Sequence, residues 1–345
     1  MWETPYTTSS ENNVETMQKP RVLVTRRLFP EAIKIIEESA EVEVYPSDED
    51  PIPREVLLEK AKDKEGLLLM LTDRADGELF DAAPRLRVVS NYAVGYNNID
   101  VAEATRRGIL VTNTPGVLTD ATADCAFMLL LAVSRRLVEV DRFVREGRWV
   151  KAWGPRMLLG SEVTGKTLGI LGLGRIGRAM VPRAKGFKMR VLYHSRTRNK
   201  EAEEKLGVEY RSFEGLLRES DYLSIHVPLT EETRGMIGVD ELRMMKPTAY
   251  LINTARGPVV DEEALIRALK EGWIAGAGLD VHAREPLEPD NPLIKLDNVV
   301  LTPHIGSATY ETRLAMALKA AENLVAALRG QRPPDLVNPE ATNRD

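Results

Sequence analysis

Three short segments in the last third of the sequence carry side chains suited to reducing a carbonyl group. They read INTARG, LDVHAREP and TPHIGSAT, and each lies at the end of an apolar run. His304 is the side chain best matched to donating a proton near neutral pH. Glu285 could keep that imidazole charged and oriented, and Arg256 could polarise the carbonyl and anchor a carboxylate. Taken singly, each also fits a plain structural role: a turn histidine, a solvated loop charge and a surface ion pair.

A glycine-rich segment in the middle of the chain predicts a dinucleotide site. GLGRIG places Gly172, Gly174 and Gly177 directly between an apolar strand and a helix. In this arrangement the first glycine allows a tight turn, the second lets the backbone approach a pyrophosphate, and the third lets helix and strand pack closely. The amides at the helix N-terminus then face the phosphates. The position between strand and helix makes the motif far more specific than the bare spacing.

The next strand ends in HSRTRN, where dinucleotide sites normally place an acid that holds the adenosine ribose. Here Ser195, Arg196, Thr197 and Arg198 occupy the strand end. A guanidinium can grip a phosphate with two parallel hydrogen bonds, and the two hydroxyls can add more. We therefore predict NADP(H) as the preferred cofactor, with NAD(H) as the alternative. A solvated basic loop is the structural reading of the same residues.

Regular alternation of strand and helix patterns must position these segments. Short apolar strands alternate with helical patterns from RVLV onward, and a second series begins at KTLGIL. This rhythm predicts an α/β fold with two doubly wound parallel-sheet domains. In open parallel sheets, ligands bind beyond the carboxyl ends of the strands, which is where the candidate residues lie. Residues 126–133 are apolar on every side and predict a helix buried in a core or a subunit interface.

Composition excludes several classes of protein. The 345 residues are 43% hydrophobic and 29% charged, with a net charge of −5, which gives no electrostatic case for nucleic acid. The single cysteine excludes an internal disulfide framework, and four dispersed histidines predict no metal site. No apolar run is long enough to cross a membrane, and no secretory signal is visible. We therefore expect a cytoplasmic protein that binds neither nucleic acid nor membranes.

The motifs together resemble one family. GLGRIG, NTARGPVVDEEAL, GAGLDV followed by EP, and LTPHIGSAT, in this order and spacing, resemble the D-isomer-specific 2-hydroxyacid dehydrogenases. SNYAVGYNNID and GVLTDATAD match as well, so that the resemblance covers about residues 20–337. Within the family, YHSRT is similar to the YSRT strand end of the archaeal-type glyoxylate reductases. The resemblance implies an NAD(P)H-dependent reductase of small 2-oxo acids, with glyoxylate, and also hydroxypyruvate, as substrate.

The resemblance also implies a role for each candidate residue. Arg256 would bind the substrate, Glu285 would be the acid paired with the histidine, and His304 would be the proton donor. The backbone amides of Val94 and Gly95 would bind the substrate carboxylate together with Arg256. Asp280 would face the nicotinamide. The predicted cofactor-binding residues are Gly172, Leu173, Gly174, Arg175, Ile176, Gly177, Ser195, Arg196, Thr197, Pro228, Thr233, Thr254, Ala255, Arg256 and Asp280.

Family members share a split architecture, which sets the predicted domain boundaries. Residues 19–115 with 306–337 would form a flavodoxin-like substrate-binding domain, and residues 116–305 would form the Rossmann domain that binds NAD(P). The active site would lie between them, and residues 1–18 would be a disordered extension. Homodimers built through the Rossmann domain are usual in the family, and the apolar helix near residues 126–133 suits such an interface.

Three positions depart from the family pattern, and two other functions remain open. Asn97 stands where an aspartate is common, His282 stands where an aromatic residue is common, and Trp153 lies in a loop that is shorter than its counterparts. We interpret His282 as a packing residue. The first alternative function is another D-2-hydroxyacid dehydrogenase, of the hydroxypyruvate or D-lactate type. The second is a cofactor-sensing, corepressor-like binding protein on the same fold.

Overall fold

A computed structural model describes residues 19–342 of the chain. The predicted disordered extension, residues 1–18, lies outside the described residues. The chain divides into two compact units, each assembled from segments that are distant in sequence. Unit 1 comprises the chain up to Asn91, Asp100–Thr112 and the chain from Ala320 onward, and unit 2 comprises Tyr92–Ile99 and Asn113–Lys319. The domain boundaries predicted from the sequence stay a prediction.

Unit 1 contains a five-stranded parallel sheet with the strand order β2-β1-β3-β4-β5. Its central strands are almost fully apolar, because helices cover both faces of a parallel sheet of this kind. This is the flavodoxin-like strand order, as the sequence predicted. The strands are β1 (Arg21–Val24), β2 (Glu41–Val44), β3 (Gly66–Leu69), β4 (Val88–Asn91) and β5 (Leu110–Thr112). The helices are α1 (Pro30–Glu37), α2 (Arg54–Ala61), α3 (Gly77–Ala82) and α4 (Val101–Arg107).

Unit 2 contains a seven-stranded parallel sheet with the order β12-β11-β10-β9-β6-β7-β8. Read from β6 outward in both directions, this is the Rossmann order extended by one strand. The strands are β6 (Thr167–Leu171), β7 (Arg190–His194), β8 (Glu209–Tyr210), β9 (Tyr222–Ile225), β10 (Tyr250–Asn253), β11 (Gly276–Leu279) and β12 (Val299–Leu301). The helices are α5 (Thr119–Ser134), α6 (Leu137–Arg145), α7 (Arg175–Gly186), α8 (Lys200–Leu206), α9 (Phe213–Glu219), α10 (Val239–Met244) and α11 (Glu262–Glu271). The last helix, α12 (Tyr310–Leu328), begins in unit 2 and ends in unit 1.

The long apolar helical pattern is two helices rather than one. Arg136 adopts a left-handed backbone conformation, with φ of 54°, and separates α5 from α6. Helix α5 packs against α7, β10 and β11, and most of residues 126–133 belong to the core of unit 2. Their apolar character is therefore explained within one chain, without a subunit interface. Helix α6, in contrast, has no buried residue.

The carboxyl ends of the unit 2 strands carry the predicted site residues. Ser195 follows β7, Arg256 follows β10, Asp280 follows β11 and His304 follows β12. The strand order reverses between β6 and β9, and the glycine loop leaves β6 at this switch point, where dinucleotides bind in such sheets. Between residues 19 and 342, no helix is long and apolar enough to cross a membrane. Across the same residues, no group of three or more His, Cys, Asp or Glu side chains could hold a metal ion.

Candidate active site

The glycine loop has the geometry that its spacing predicts. Gly172 has a φ of 97°, and a side chain there would meet the carbonyl oxygen of His226 at 2.8 Å. A Cβ at Gly177 would lie 2.2 Å from the carbonyl oxygen of Gly172, so the helix can pack on the loop only without a side chain. A Cβ at Gly174 would have no other atom within 4 Å. Packing therefore requires the first and third glycines, whereas the second leaves the backbone open to a ligand.

The N-terminus of α7 is available to bind an anion. Gly174 is the N-cap and offers no side chain to the first amides of the helix, which begins with Arg175 and Ile176. The positive end of the helix dipole lies at the same place. The amide of Leu173 is already bonded, because it donates to Ser195 Oγ at 2.9 Å. This bond ties the glycine loop to the end of β7.

The two arginines of HSRTRN differ in their surroundings. Arg198 donates to both carboxylate oxygens of Glu203, at 2.8 and 2.7 Å, and its guanidinium lies 5.6 Å from the ring centre of Tyr210. The hydrogen bond from Arg198 lowers the pKa of Glu203 to about 2. Arg196 is exposed and takes part in no hydrogen bond or ion pair with the described residues. The sequence-based pocket of two arginines is therefore reduced to Arg196, flanked by Ser195 and Thr197.

Two further predicted cofactor residues form the loop after β9. Thr233 Oγ1 donates to the carbonyl oxygen of Pro228 at 2.6 Å and accepts from the amide of Thr230 at 2.8 Å. These bonds close the loop on itself. His226, at the start of the loop, bonds to Ser224 Oγ through Nε2 at 2.8 Å, and burial lowers its pKa to about 4. A neutral histidine fixed in this way is a structural residue.

A buried asparagine shapes the turn that carries Arg256. Asn253 accepts from the amide of Ala255 at 3.0 Å and donates to the carbonyl oxygen of Arg256 at 3.0 Å. Between them, the buried hydroxyl of Thr254 has no hydrogen-bond partner among the described residues. Buried polar groups are almost always satisfied, so this hydroxyl lacks a partner that a bound group would supply. The predicted contact between Thr254 and the cofactor stays a prediction.

The guanidinium of Arg256 packs against the segment that contains the predicted carboxylate-binding amides. A Cβ at Gly95 would lie 1.9 Å from Arg256 Nη2, so only glycine permits this contact. Arg256 Nε donates to Asn97 Oδ1 at 2.9 Å, and the carbonyl oxygen of Val94 accepts from Asn113 Nδ2 at 2.7 Å. Burial lowers the pKa of Arg256, and the charge of Glu285 opposes that effect. Val94, Gly95 and Arg256 are thus brought together, and Asn97 joins them.

His304 and Glu285 form a direct pair. His304 Nδ1 lies 2.8 Å from Glu285 Oε2, and the amide of His282 donates to Glu285 Oε1 at 3.1 Å. Burial alone would raise the pKa of Glu285, but the hydrogen bond and charge of His304 outweigh it, and the net pKa is below 4.5. Glu285 is therefore ionised at neutral pH. Because Nδ1 faces the carboxylate, Nε2 is the nitrogen left to exchange a proton with a substrate.

The loop that presents His304 is held by Asp280, which is 1% exposed. Its carboxylate accepts from the amides of Ile305 and Gly306, each at 2.8 Å, and from Thr302 Oγ1 at 2.6 Å. Its carbonyl oxygen accepts from the amide of His304 at 2.9 Å. Sequence reasoning missed this network, although an acid directly after a buried strand is a signal for one. The contact predicted between Asp280 and the nicotinamide stays a prediction.

His282 and Trp153, two of the positions that depart from the family pattern, differ in how much of each is exposed. The ring of His282 is 7% exposed, and its Nε2 lies 3.1 Å from the carbonyl oxygen of Thr302. The ring therefore contacts the segment that leads to His304, and the amide of His282 bonds to Glu285. Trp153 is 79% exposed, and a substrate contact for it stays a prediction.

Comparisons with known proteins relate the chain to one family. Residues 127–306 match the model of the D-isomer specific 2-hydroxyacid dehydrogenase, NAD binding domain. The glyoxylate reductase of Korarchaeum cryptofilum is 59% identical over 93% of this chain and 97% of its own length. The glyoxylate reductase of Pyrococcus furiosus is 60% identical over 93% of this chain and 96% of its own.

A solved structure resembles the whole chain. It is the NADPH-dependent glyoxylate/hydroxypyruvate reductase of Sinorhizobium meliloti, in complex with NADP and malonate. That protein is 36% identical, with a TM-score of 0.81 over 95% of this chain and 99% of its own. The chain belongs to the D-isomer specific 2-hydroxyacid dehydrogenase family. It is an oxidoreductase with an NAD-binding domain, as the sequence predicted.

The glycine loop yields a matched pair of variants. Gly174→Ala has space for its methyl group, so we expect an unchanged melting temperature but an NADPH KM raised by about tenfold, because the methyl lies where phosphate approaches. Gly177→Ala forces a contact with the carbonyl oxygen of Gly172 and should destabilise the fold by about 1–3 kcal/mol. Thermal unfolding and cofactor titration measure both. Equal losses of stability in the two variants would contradict this division of roles.

Proposed function

We propose that this protein reduces glyoxylate to glycolate with NADPH as its preferred reductant, and reduces hydroxypyruvate to glycerate in the same site. The observation that carries the proposal is the His304–Glu285 pair, 2.8 Å apart, in the same unit as the glycine loop and Arg256. Relatives that are 57–60% identical carry the name glyoxylate reductase. The structural neighbour from Sinorhizobium meliloti is named for glyoxylate and hydroxypyruvate together.

The residues divide the chemistry between them. Arg256 and the amides of Val94 and Gly95 bind the substrate carboxylate and fix the orientation of the carbonyl. His304 Nε2 donates a proton to the carbonyl oxygen as negative charge develops there. Glu285, which is ionised, holds the imidazole by Nδ1 and stabilises its positive charge. The bound reduced nicotinamide supplies the hydride.

The residues around the glycine loop fit a phosphorylated dinucleotide. The first amides of α7 would bind the pyrophosphate, and Thr254 Oγ1, which is buried without a partner, would gain one. No carboxylate follows β7 until Glu201, so the strand end lacks the acid that normally holds the ribose hydroxyls. Glu232, in the loop after β9, interacts electrostatically with Arg196. Arg196 is exposed and would pair with that phosphate, with hydroxyls from Ser195 and Thr197 beside it. These groups support the preference for NADPH over NADH.

We also propose that the protein is a homodimer. The apolar residues of α5 are used in the core, so this proposal rests on the surface of α6. The exposed surface of α6 and the segment after it is rich in large apolar side chains. Soluble chains rarely leave such a patch uncovered, and a second copy with the same surface would cover it symmetrically. The exposed members are Leu137, Val138, Val144, Trp149, Val150, Trp153 and Leu159.

Turnover measurements test the proposed function. With purified protein and NADPH, we expect kcat/KM to be highest for glyoxylate, lower for hydroxypyruvate and lowest for pyruvate. His304→Gln should lower kcat by about a hundred- to ten-thousand-fold, because proton donation is lost, while the KM for NADPH stays unchanged. Binding of NADPH without turnover of any 2-oxo acid would favour the cofactor-sensing alternative.

Glu285→Gln separates the acid from the histidine. It keeps the shape of the side chain but replaces the carboxylate that lies 2.8 Å from His304 Nδ1. We therefore expect kcat for glyoxylate to fall by about tenfold or more, while the KM for NADPH stays unchanged, and steady-state kinetics measure both constants. The pKa of Glu285 is lowered in the folded state. Its contribution to stability is therefore present above its ordinary pKa and is lost as the pH falls through the folded pKa. A kcat equal to that of the wild type would contradict the pairing.

The two arginines after β7 provide an internal control for the cofactor. Arg196→Ala should lower kcat/KM for NADPH by about ten- to a hundredfold, because a charge-assisted hydrogen bond is lost, and should leave the value for NADH unchanged. Arg198→Ala removes an arginine that is bonded to Glu203, so its effect on the NADPH/NADH ratio should stay within about threefold. Steady-state kinetics with both cofactors measure the ratio. An unchanged ratio in Arg196→Ala would contradict the phosphate pocket.

A charge placed on α6 tests the dimer. Val144→Glu introduces a carboxylate where the side chain is 53% exposed and should shift the protein from a dimer toward a monomer, because a like charge would be buried on each side. Ile294→Glu, at a 48% exposed apolar position outside the patch, should leave the dimer intact. Light scattering after size-exclusion chromatography measures the mass. A monomeric wild type would contradict the proposal.

A further inference from the structure

The guanidinium of Arg256 is oriented by uncharged groups. Nε donates to Asn97 Oδ1 at 2.9 Å, and Nη1 donates to the carbonyl oxygen of Ala255 at 2.7 Å. The side of the group that carries Nη2 lies against Gly95. Arg256 forms no salt bridge with any of residues 19–342, so its positive charge is left for a ligand.

Glu285 is the acid whose charge acts on Arg256, yet its oxygens are already bonded. Oε2 pairs with His304 Nδ1, and Oε1 accepts from the amide of His282. Arg256 is half-buried, and a cation that is partly removed from water is stabilised by a direct anionic partner. With both carboxylate oxygens of Glu285 committed, an incoming anion can supply that partner. An anionic substrate would therefore bind by pairing its negative charge with the guanidinium of Arg256.

We propose that Asn97 sets the affinity of the site for carboxylate substrates, because it orients Arg256 through Nε without adding a negative charge. This inference rests on the proposed function, and Asn97 is not among the binding residues that the sequence predicted. The side-chain oxygen of Asn97, Oδ1, accepts the hydrogen bond from Arg256 Nε. The remaining N–H groups of Nη1 and Nη2 are left for the two oxygens of a carboxylate. Asn97 is a positioning residue, since it acts through Arg256.

An aspartate at this position would have the same shape and a different charge. It would accept the same hydrogen bond from Nε and form an ion pair with Arg256. Asn97 is exposed, so salt would screen part of the attraction between the two charges. The substrate carboxylate would then compete with an internal carboxylate for one guanidinium. Exchange of Asn97 for the isosteric acid therefore tests the role of charge without a change of size.

The experiment compares Asn97→Asp with the wild type in binding and in turnover. Calorimetry on the NADPH-loaded protein measures the Kd of oxamate, an unreactive anionic analogue, and steady-state kinetics measure the KM of glyoxylate. We expect both constants to rise by about tenfold, a change equivalent to one unfavourable charge contact. The kcat for glyoxylate and the KM of NADPH should stay within about threefold of the wild type.

Two controls separate charge from structure. Glyoxylamide, which lacks the negative charge, should be reduced by Asn97→Asp and by the wild type with the same KM. Asn97→Ala removes the acceptor without adding charge, so it should raise the Kd of oxamate by less than Asn97→Asp does. Thermal unfolding confirms that each variant is folded.

The outcomes distinguish this inference from the function on which it rests. A wild type that binds oxamate but does not reduce glyoxylate would end the proposed function, while the change in Kd would still report on Asn97. An unchanged oxamate Kd in Asn97→Asp would overturn the inference, even with full glyoxylate turnover. An equal rise of KM for glyoxylate and glyoxylamide would also overturn it, because a structural disturbance does not depend on substrate charge.

Discussion

The arrangement of the site depends on one buried carboxylate. Asp280 directly follows β11 and is almost inaccessible to water. It accepts hydrogen bonds from two amides and one hydroxyl of the loop after β12. A buried carboxylate is strongly unfavourable unless such donors satisfy it, so the loop is constrained to the path that supplies them. That path gives His304 a φ of 56° and points Nδ1 at Glu285. The proton donor is therefore placed by the backbone around it.

Similar residues in this protein acquire different roles from their neighbours. Arg198 is neutralised by Glu203 and helps to hold the start of α8, whereas Arg196, two residues earlier, stays exposed at the end of β7. The charge of Arg256 is not balanced by a carboxylate within hydrogen-bond distance, because its acceptors are a side-chain amide oxygen and a carbonyl oxygen. Residue type alone does not separate these three arginines. What separates them is the presence or absence of a carboxylate within hydrogen-bond distance.

The sequence predicted the α/β class, both parallel sheets and the glycine loop, because local periodicity and backbone requirements determine these features. The family resemblance implied that Glu285 pairs with His304, and the two side chains lie 2.8 Å apart. The sequence did not predict the ion pair of Arg198, the break at Arg136 or the contact between Asn97 and Arg256. Asn97 and Arg256 are 159 positions apart in the sequence. Such contacts depend on how packed segments meet in space, which periodicity does not encode.

The central claim is that this site transfers a hydride to glyoxylate rather than merely binding a nicotinamide cofactor. The most direct measurement is a single turnover, in which the protein is loaded with less than one equivalent of NADPH and mixed rapidly with excess glyoxylate. If hydride is transferred, the nicotinamide absorbance disappears completely and glycolate forms in an amount equal to the NADPH supplied. If the absorbance persists while glyoxylate is bound, the site is not a reductase of this substrate.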